Sequence, residues 1–215
     1  MPTPISFKGI KLGVPICEDV WTPHVVAHLA DAGAEIFLVP NGSPFEADKS
    51  GLRRKLIEDR VRESHVPMIY CNEVGGQDEL VFDGGSFGLN GDGSLAVALP
   101  AFAEDVVVTT WQQSENGKWR CADDAPKVAY PTGLDAIYQA LVLGLRDYVN
   151  KNGFPGVVIG MSGGIDSALS AAVAVDALGS DRVRLVMMPS PYTSAESLED
   201  AELCAGMLKT GIESI

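Results

Sequence analysis

The stretch Gly156-Val157-Val158-Ile159-Gly160-Met161-Ser162-Gly163-Gly164-Ile165-Asp166-Ser167-Ala168-Leu169 reads as a buried strand turning into a helix. Its opening is short, β-branched and bounded by Pro155 and Gly160, which predicts a strand. From Ser167 to Leu178 the chain is Ala-rich and then broken by Gly179, which predicts a helix. The glycines and serines between them leave little side-chain bulk. Several backbone N–H groups are therefore free to point at one anion on the positive end of the helix. Residues Gly160, Met161, Ser162, Gly163, Gly164, Ile165, Asp166 and Ser167 read as a phosphate cradle.

The kind of cradle follows from its composition. It has no Lys of the sort that reaches terminal phosphates in the common nucleotidase loop. Instead it carries a carboxylate, Asp166, which phosphate oxygens repel unless a divalent cation lies between, so the loop implies Mg²⁺. The plain alternative is a glycine-rich turn with Asp166 as an ordinary first-turn acid. The segment closely resembles the Ser-Gly-Gly-x-Asp-Ser loop of the ATP pyrophosphatase superfamily. That resemblance implies adenylation of a carboxylate or carbonyl oxygen by ATP, release of pyrophosphate, and displacement of AMP by an amine.

On either side the pattern continues. Leu134 to Val149 has helical spacing, Val183 to Met188 reads as a second buried strand, and Glu196 to Leu208 as a helix. Strand, helix, strand predicts a Rossmann-like, doubly wound parallel sheet, with the nucleotide at the carboxyl ends of the strands. Only two strands of it are legible, too few for a sheet buried on both faces. Residues 113–132, rich in Ser, Asn, Asp and Pro, read as a linker between a domain at 1–112 and another at 133–215.

The earlier domain reads as an α-β sandwich with a mixed or largely antiparallel sheet. Strands are expected at Ile10 to Ile16, Glu35 to Val39 and Met68 to Cys71, with a helix over Pro23 to Ala32. Leu52, Leu56 and Val61 mark the apolar stripe of a second, highly charged helix. Short strands follow at Leu80 to Phe82, Ser86 to Leu89 and Leu95 to Leu99, separated by Asp-Gly-Gly and Asn-Gly-Asp-Gly turns, and Glu104 to Trp111 closes the series.

The formal charge of −13 argues against nucleic acid or an anionic membrane as main partner. Four scattered cysteines without C-x-x-C spacing suggest neither a zinc site nor a disulfide framework. With no signal-like or membrane-length apolar run, a cytoplasmic location is expected.

A second site candidate is Cys17, in Pro15-Ile16-Cys17-Glu18-Asp19-Val20-Trp21. A Cys at a strand-to-helix junction gains thiolate character from the helix, and the following N–H helps to form an oxyanion hole. A lone Cys ending an apolar strand is, equally, a core residue. The segment resembles the nucleophile region of the nitrilase superfamily (carbon–nitrogen hydrolases), and more narrowly that of the glutamine-dependent NAD⁺ synthetases. Val39 to Phe45, Arg53-Arg54-Lys55, Tyr70 to Ser86, Tyr130-Pro131 and Met188 to Ser194 are placed as in that family.

The resemblance implies a two-site glutamine amidotransferase and ligase. Cys17 attacks glutamine and releases ammonia, with Ser43 and Lys49 holding the substrate. The cradle and Ser190 bind ATP, with Mg²⁺ at Asp166. Nicotinic acid adenine dinucleotide is adenylated and its AMP displaced by ammonia, giving NAD⁺. The family form implies a homo-oligomer. In the family a Glu base and a Lys precede the nucleophile, whereas the sixteen residues before Cys17 hold no Glu, and Lys8 and Lys11 do not match. The expectation is a partial nitrilase-like sandwich joined to a partial synthetase sheet, the middle of a longer enzyme and close to inactive alone. Two rival readings are an amidotransferase with another acceptor and a non-catalytic nucleotide-binding protein.

Overall fold

The computed structural model describes residues 2–47, 49–122 and 124–215. The chain forms two compact units, Met1–Gly75 with Val81–Ala136, and Gly76–Leu80 with Ile137–Ile215.

The first unit is built on strands β1 (Ile5–Phe7), β2 (Ile10–Gly13), β3 (Ile36–Asn41) and β4 (Met68–Asn72). A two-stranded ribbon of β5 (Val74–Gln77) and β6 (Leu80–Asp83) follows, then β7 (Phe87–Leu89) and β8 (Leu95–Ala98). The six-stranded sheet runs β1-β2-β3-β4-β7-β8, parallel from β2 to β4 and antiparallel elsewhere. Helices α1 (Pro23–Asp31) and α2 (Lys49–Ser64) cover one face, where Val26, Leu29, Phe37, Val39, Ile57, Val61, Met68 and Leu89 make the core. Pro23 suits the start of α1, where its missing N–H would have had no helical partner.

Four expectations are corrected here. The first strand stops at Gly13 rather than Ile16, because Pro15 has no N–H to offer a neighbour. Helix α2 buries Arg53, Ile57, Arg60 and Val61, while Leu52 is exposed. Its inner stripe carries charge because Asp83 lies opposite Arg53. Glu104 to Trp111 is not a strand: Val106 and Val108 are 94% and 93% exposed, and pairing starts only at Trp111. There β9 (Trp111–Gln113) and β10 (Trp119–Cys121) form a hairpin that composition did not disclose.

Helix α3 (Gly133–Lys151) leads into the second unit. Strands β11 (Val157–Gly160) and β12 (Val183–Met187) flank α4 (Ile165–Leu178), and α5 (Ala195–Leu208) precedes β13 (Ile212–Ser214). All three strands are parallel, in the order β11-β12-β13, so the sheet has three strands where two were expected. The last strand is short and escaped the sequence pattern. Ala171, Ala174, Ala201 and Ala205 let α4 and α5 approach Leu185, Val183 and Met187 closely. Among the described residues no helix is long and apolar enough to cross a membrane.

Candidate functional site

Parallel strands put the two ends of the expected nucleotide site on one edge, since Gly160 ends β11 in register with Val186, one residue before β12 ends at Met187. The turn from Gly160 into α4 is tightly drawn. Gly163 has φ +80°, and a Cβ there would lie 2.2 Å from the Ser197 carbonyl oxygen, so only glycine fits between the turn and the first turn of α5. The Ser162 hydroxyl accepts from the Gly164 amide at 3.2 Å and lies 3.1 Å from the Ser167 hydroxyl. Ser167 in turn donates to the Gly164 carbonyl at 2.9 Å. The N-cap residue, Gly164, offers no side-chain cap to the opening amides of α4, which leaves them for an anion. Met161 is buried beneath the turn, while Ile165 and Asp166 are exposed.

Asp166 is a single carboxylate, and no group of three or more His, Cys, Asp or Glu among the described residues forms a metal site by itself. That donor set fits Mg²⁺, which takes one or two carboxylates and completes its shell with phosphate oxygens and water. Ser190, past the end of β12, is exposed. Its hydroxyl lies 3.3 Å from that of Thr193 and accepts from the Tyr192 amide at 3.2 Å.

In the first unit, Cys17 opens a four-residue 3₁₀ turn, Cys17–Val20. It follows the end of β2 by four residues rather than ending the strand, and no long helix starts at it, so the expected help from a helix N-terminus is absent. Its φ is +49°, a left-handed conformation uncommon for a residue with a Cβ. Asp19 secures the turn: its carboxylate accepts from the Ile16 amide at 2.8 Å, and its own amide donates to the Ile16 carbonyl at 3.0 Å. Cys17 is half-buried and forms no disulfide.

Cys17 and Ser43 both bear on the ionisation of the Tyr70 phenol. Burial pushes that phenol up; the Arg53 charge and the Ser43 hydroxyl act against this, and Cys17 and Asp83 add to it. Ser43 is itself buried, its hydroxyl accepting from Arg53 Nε at 3.1 Å and its amide donating to Asn72 Oδ1 at 3.0 Å. Lys49 opens α2 with its stem largely covered, and its ammonium is held by Glu46 at 2.6 Å rather than by this cluster.

Behind Ser43 lies a polar network to which sequence reasoning gave no role. Asp83 is fully buried and accepts from Arg53 Nη1 at 2.7 Å and from the Tyr130 hydroxyl in a short hydrogen bond. Asn72 Nδ2 bridges the Ser43 and Gly84 carbonyls, each at 3.2 Å. A cavity of about 360 Å³ adjoins the network, lined by Arg53, Arg54, Tyr70, Phe87 and Tyr130 among others.

Comparison with known proteins matches residues 2–121 to the carbon-nitrogen hydrolase family and residues 137–215 to NAD synthase. The glutamine-dependent NAD(+) synthetase of Rhodobacter capsulatus is 50% identical over 99% of this chain, and that of Thermotoga maritima 38% identical over 98%. The chain spans only 38% and 41% of the length of those two proteins. Among solved structures, the glutamine-dependent NAD+ synthetase of Acinetobacter baumannii in complex with ADP superposes with a TM-score of 0.88 at 40% identity. That match covers 98% of this chain and 39% of the other. The architecture is accordingly a partial nitrilase-like fold followed by a partial Rossmann-like parallel sheet.

Proposed function

We propose, from the premise that this chain belongs to the carbon–nitrogen hydrolase family, that it carries the glutamine and nucleotide sites of a glutamine-dependent NAD⁺ synthetase. Residues 1–112 then supply the glutaminase site, residues 113–132 connect the two, and residues 133–215 bind ATP. The Cys17 thiolate attacks the glutamine amide carbon, the C–N bond breaks, ammonia leaves, and water hydrolyses the thioester to glutamate. Ser43 and Lys49 hold glutamine. A carboxylate oxygen of nicotinic acid adenine dinucleotide attacks the α-phosphorus of ATP and expels pyrophosphate, and ammonia then displaces AMP to form the amide of NAD⁺. The amides of the Gly160–Ser167 turn cradle the phosphates, with Ser190 beside the adenosine. Asp166 would hold Mg²⁺, which when bound offsets the charge that phosphates and carboxylate share. A cytoplasmic homo-oligomer acting on small molecules goes with this reading.

The observation that carries the proposal is the close approach of Gly163 to Ser197, which fixes the turn leading to the uncapped opening amides of α4 at the carboxyl edge of a parallel sheet. Isothermal titration of the chain with ATP tests it. The expected result is uptake that needs Mg²⁺ and weakens at least about tenfold in Asp166→Asn, the loss of one charge-assisted contact. Uptake indifferent to both Mg²⁺ and the substitution refutes the nucleotide assignment.

A further inference from the structure

We propose that Arg53 is a positioning residue for the glutamine site and acts through Ser43, an inference that rests on the glutaminase reading above. A guanidinium presents five N–H groups in a rigid planar fork. Here Nε donates to the Ser43 hydroxyl oxygen at 3.1 Å and Nη1 to Asp83 at 2.7 Å, while Nη2 donates to the carbonyls of Ser43 and Pro44 at 3.3 and 2.8 Å. One cation thus grips Ser43 at both side chain and backbone and takes the next carbonyl as well. Asn72 fixes what remains of the Ser43 backbone.

This arrangement biases the polarity of Ser43. A hydroxyl has one proton to give and two lone pairs. With a cationic donor on its oxygen, the hydroxyl is polarised and becomes a stronger donor itself. Ser43 is therefore a better donor to an oxygen of the ligand, carbonyl or carboxylate, than an acceptor from an N–H. The cation stays buried because Asp83 compensates it, and Asp83 is kept in place by Tyr130 and Asn72. A purely structural ion pair would need Asp83 but not the contact to the Ser43 hydroxyl.

The test is alkylation of Cys17 in this chain by a glutamine-shaped chloroketone. The thiolate forms a C–S bond and chloride leaves, and mass spectrometry gives the reagent's apparent affinity and its limiting rate. Iodoacetamide serves as a control for bare thiol reactivity. Arg53→Lys keeps the charge but cannot span the same acceptors. It is expected to weaken reagent affinity about tenfold, with the iodoacetamide rate within about twofold of wild type. Ser43→Ala is expected to do the same, and the double variant to be no worse than either single one. Unchanged affinity in Arg53→Lys, or effects that multiply in the double variant, overturns the inference. Should Arg53→Lys fail to fold, Tyr130→Phe removes one anchor of Asp83. A weakening of about threefold that disappears in the Ser43→Ala background then supports the inference, and no weakening overturns it. Failure of the glutaminase reading looks different. Wild-type Cys17 would then be unprotected by glutamine and would react no faster with the chloroketone than with iodoacetamide, which removes the ligand and this inference together.

Discussion

Burial, then the hydrogen bond to Asp83, holds the Tyr130 phenol well above its ordinary range. Burial pushes Tyr70 the same way, and a hydrogen bond to Asp176 pushes Tyr138 up to about 12. A phenol whose folded value is raised stabilises the fold fully below its unfolded value of about 10, and that stability is lost as pH climbs past it. Tyr130→Phe is therefore expected to cost roughly 1 kcal/mol near neutral pH and progressively less above about pH 10, as read from urea melts. A deficit that stays constant with pH would show that Tyr130 acts through packing alone. The partners of this phenol were not legible in the sequence, although Cys17 and Ser43 were singled out by their segments. Asp83 looks like a turn residue before Gly84-Gly85, and its contacts lie 30 and 47 positions away, at Arg53 and Tyr130. Burial of a charge is a tertiary fact, and no local pattern carries it.

Among the elements, β11, its turn and α4 were readable because every local signal agreed: β-branched strand, small residues in the turn, Ala-rich helix. What the sequence left hidden was the reason for each glycine. Gly163 is wedged at φ +80° against the Ser197 carbonyl, whereas Gly164 is extended at φ −88°, its virtual Cβ 3.3 Å from the rotatable Ser162 hydroxyl. Gly163→Ala is therefore expected to destabilise the second unit by about 1–3 kcal/mol and to abolish ATP uptake. Gly164→Ala keeps the fold with a loss of no more than about 1 kcal/mol. Thermal melts of the two variants check the contrast, and equal losses would discard the wedge. The elements that were misread share one cause. Glu104 to Thr109 has strand-like residues but no strand paired with it among the described residues, whereas β9 and β10 have polar composition but each other. Strand formation is settled by pairing, which composition does not report.

For the whole molecule, the decisive feature is that two hydrophobic clusters share no residue. One centres on Phe37, Leu29 and Met68, the other on Leu185, Ala171 and Ala174. The first core lies beneath a six-stranded mixed sheet. The second lies beneath three parallel strands, and the other face of that small sheet is open at Val158, 70% exposed. Parallel sheets are ordinarily covered on both faces, so the second unit holds less buried apolar area for each strand it must order. Two cores of unequal strength predict unfolding in two steps, the weaker first, rather than one cooperative transition. Scanning calorimetry with one substitution per core makes this specific. Leu185→Ala is expected to cost about 2–5 kcal/mol and to lower only the first transition, and Phe37→Ala about 3–5 kcal/mol and to lower only the second. ATP with Mg²⁺ should raise the first transition and leave the second in place, because a ligand stabilises the unit that binds it. A single transition moved by both substitutions would mean that the two cores fold as one.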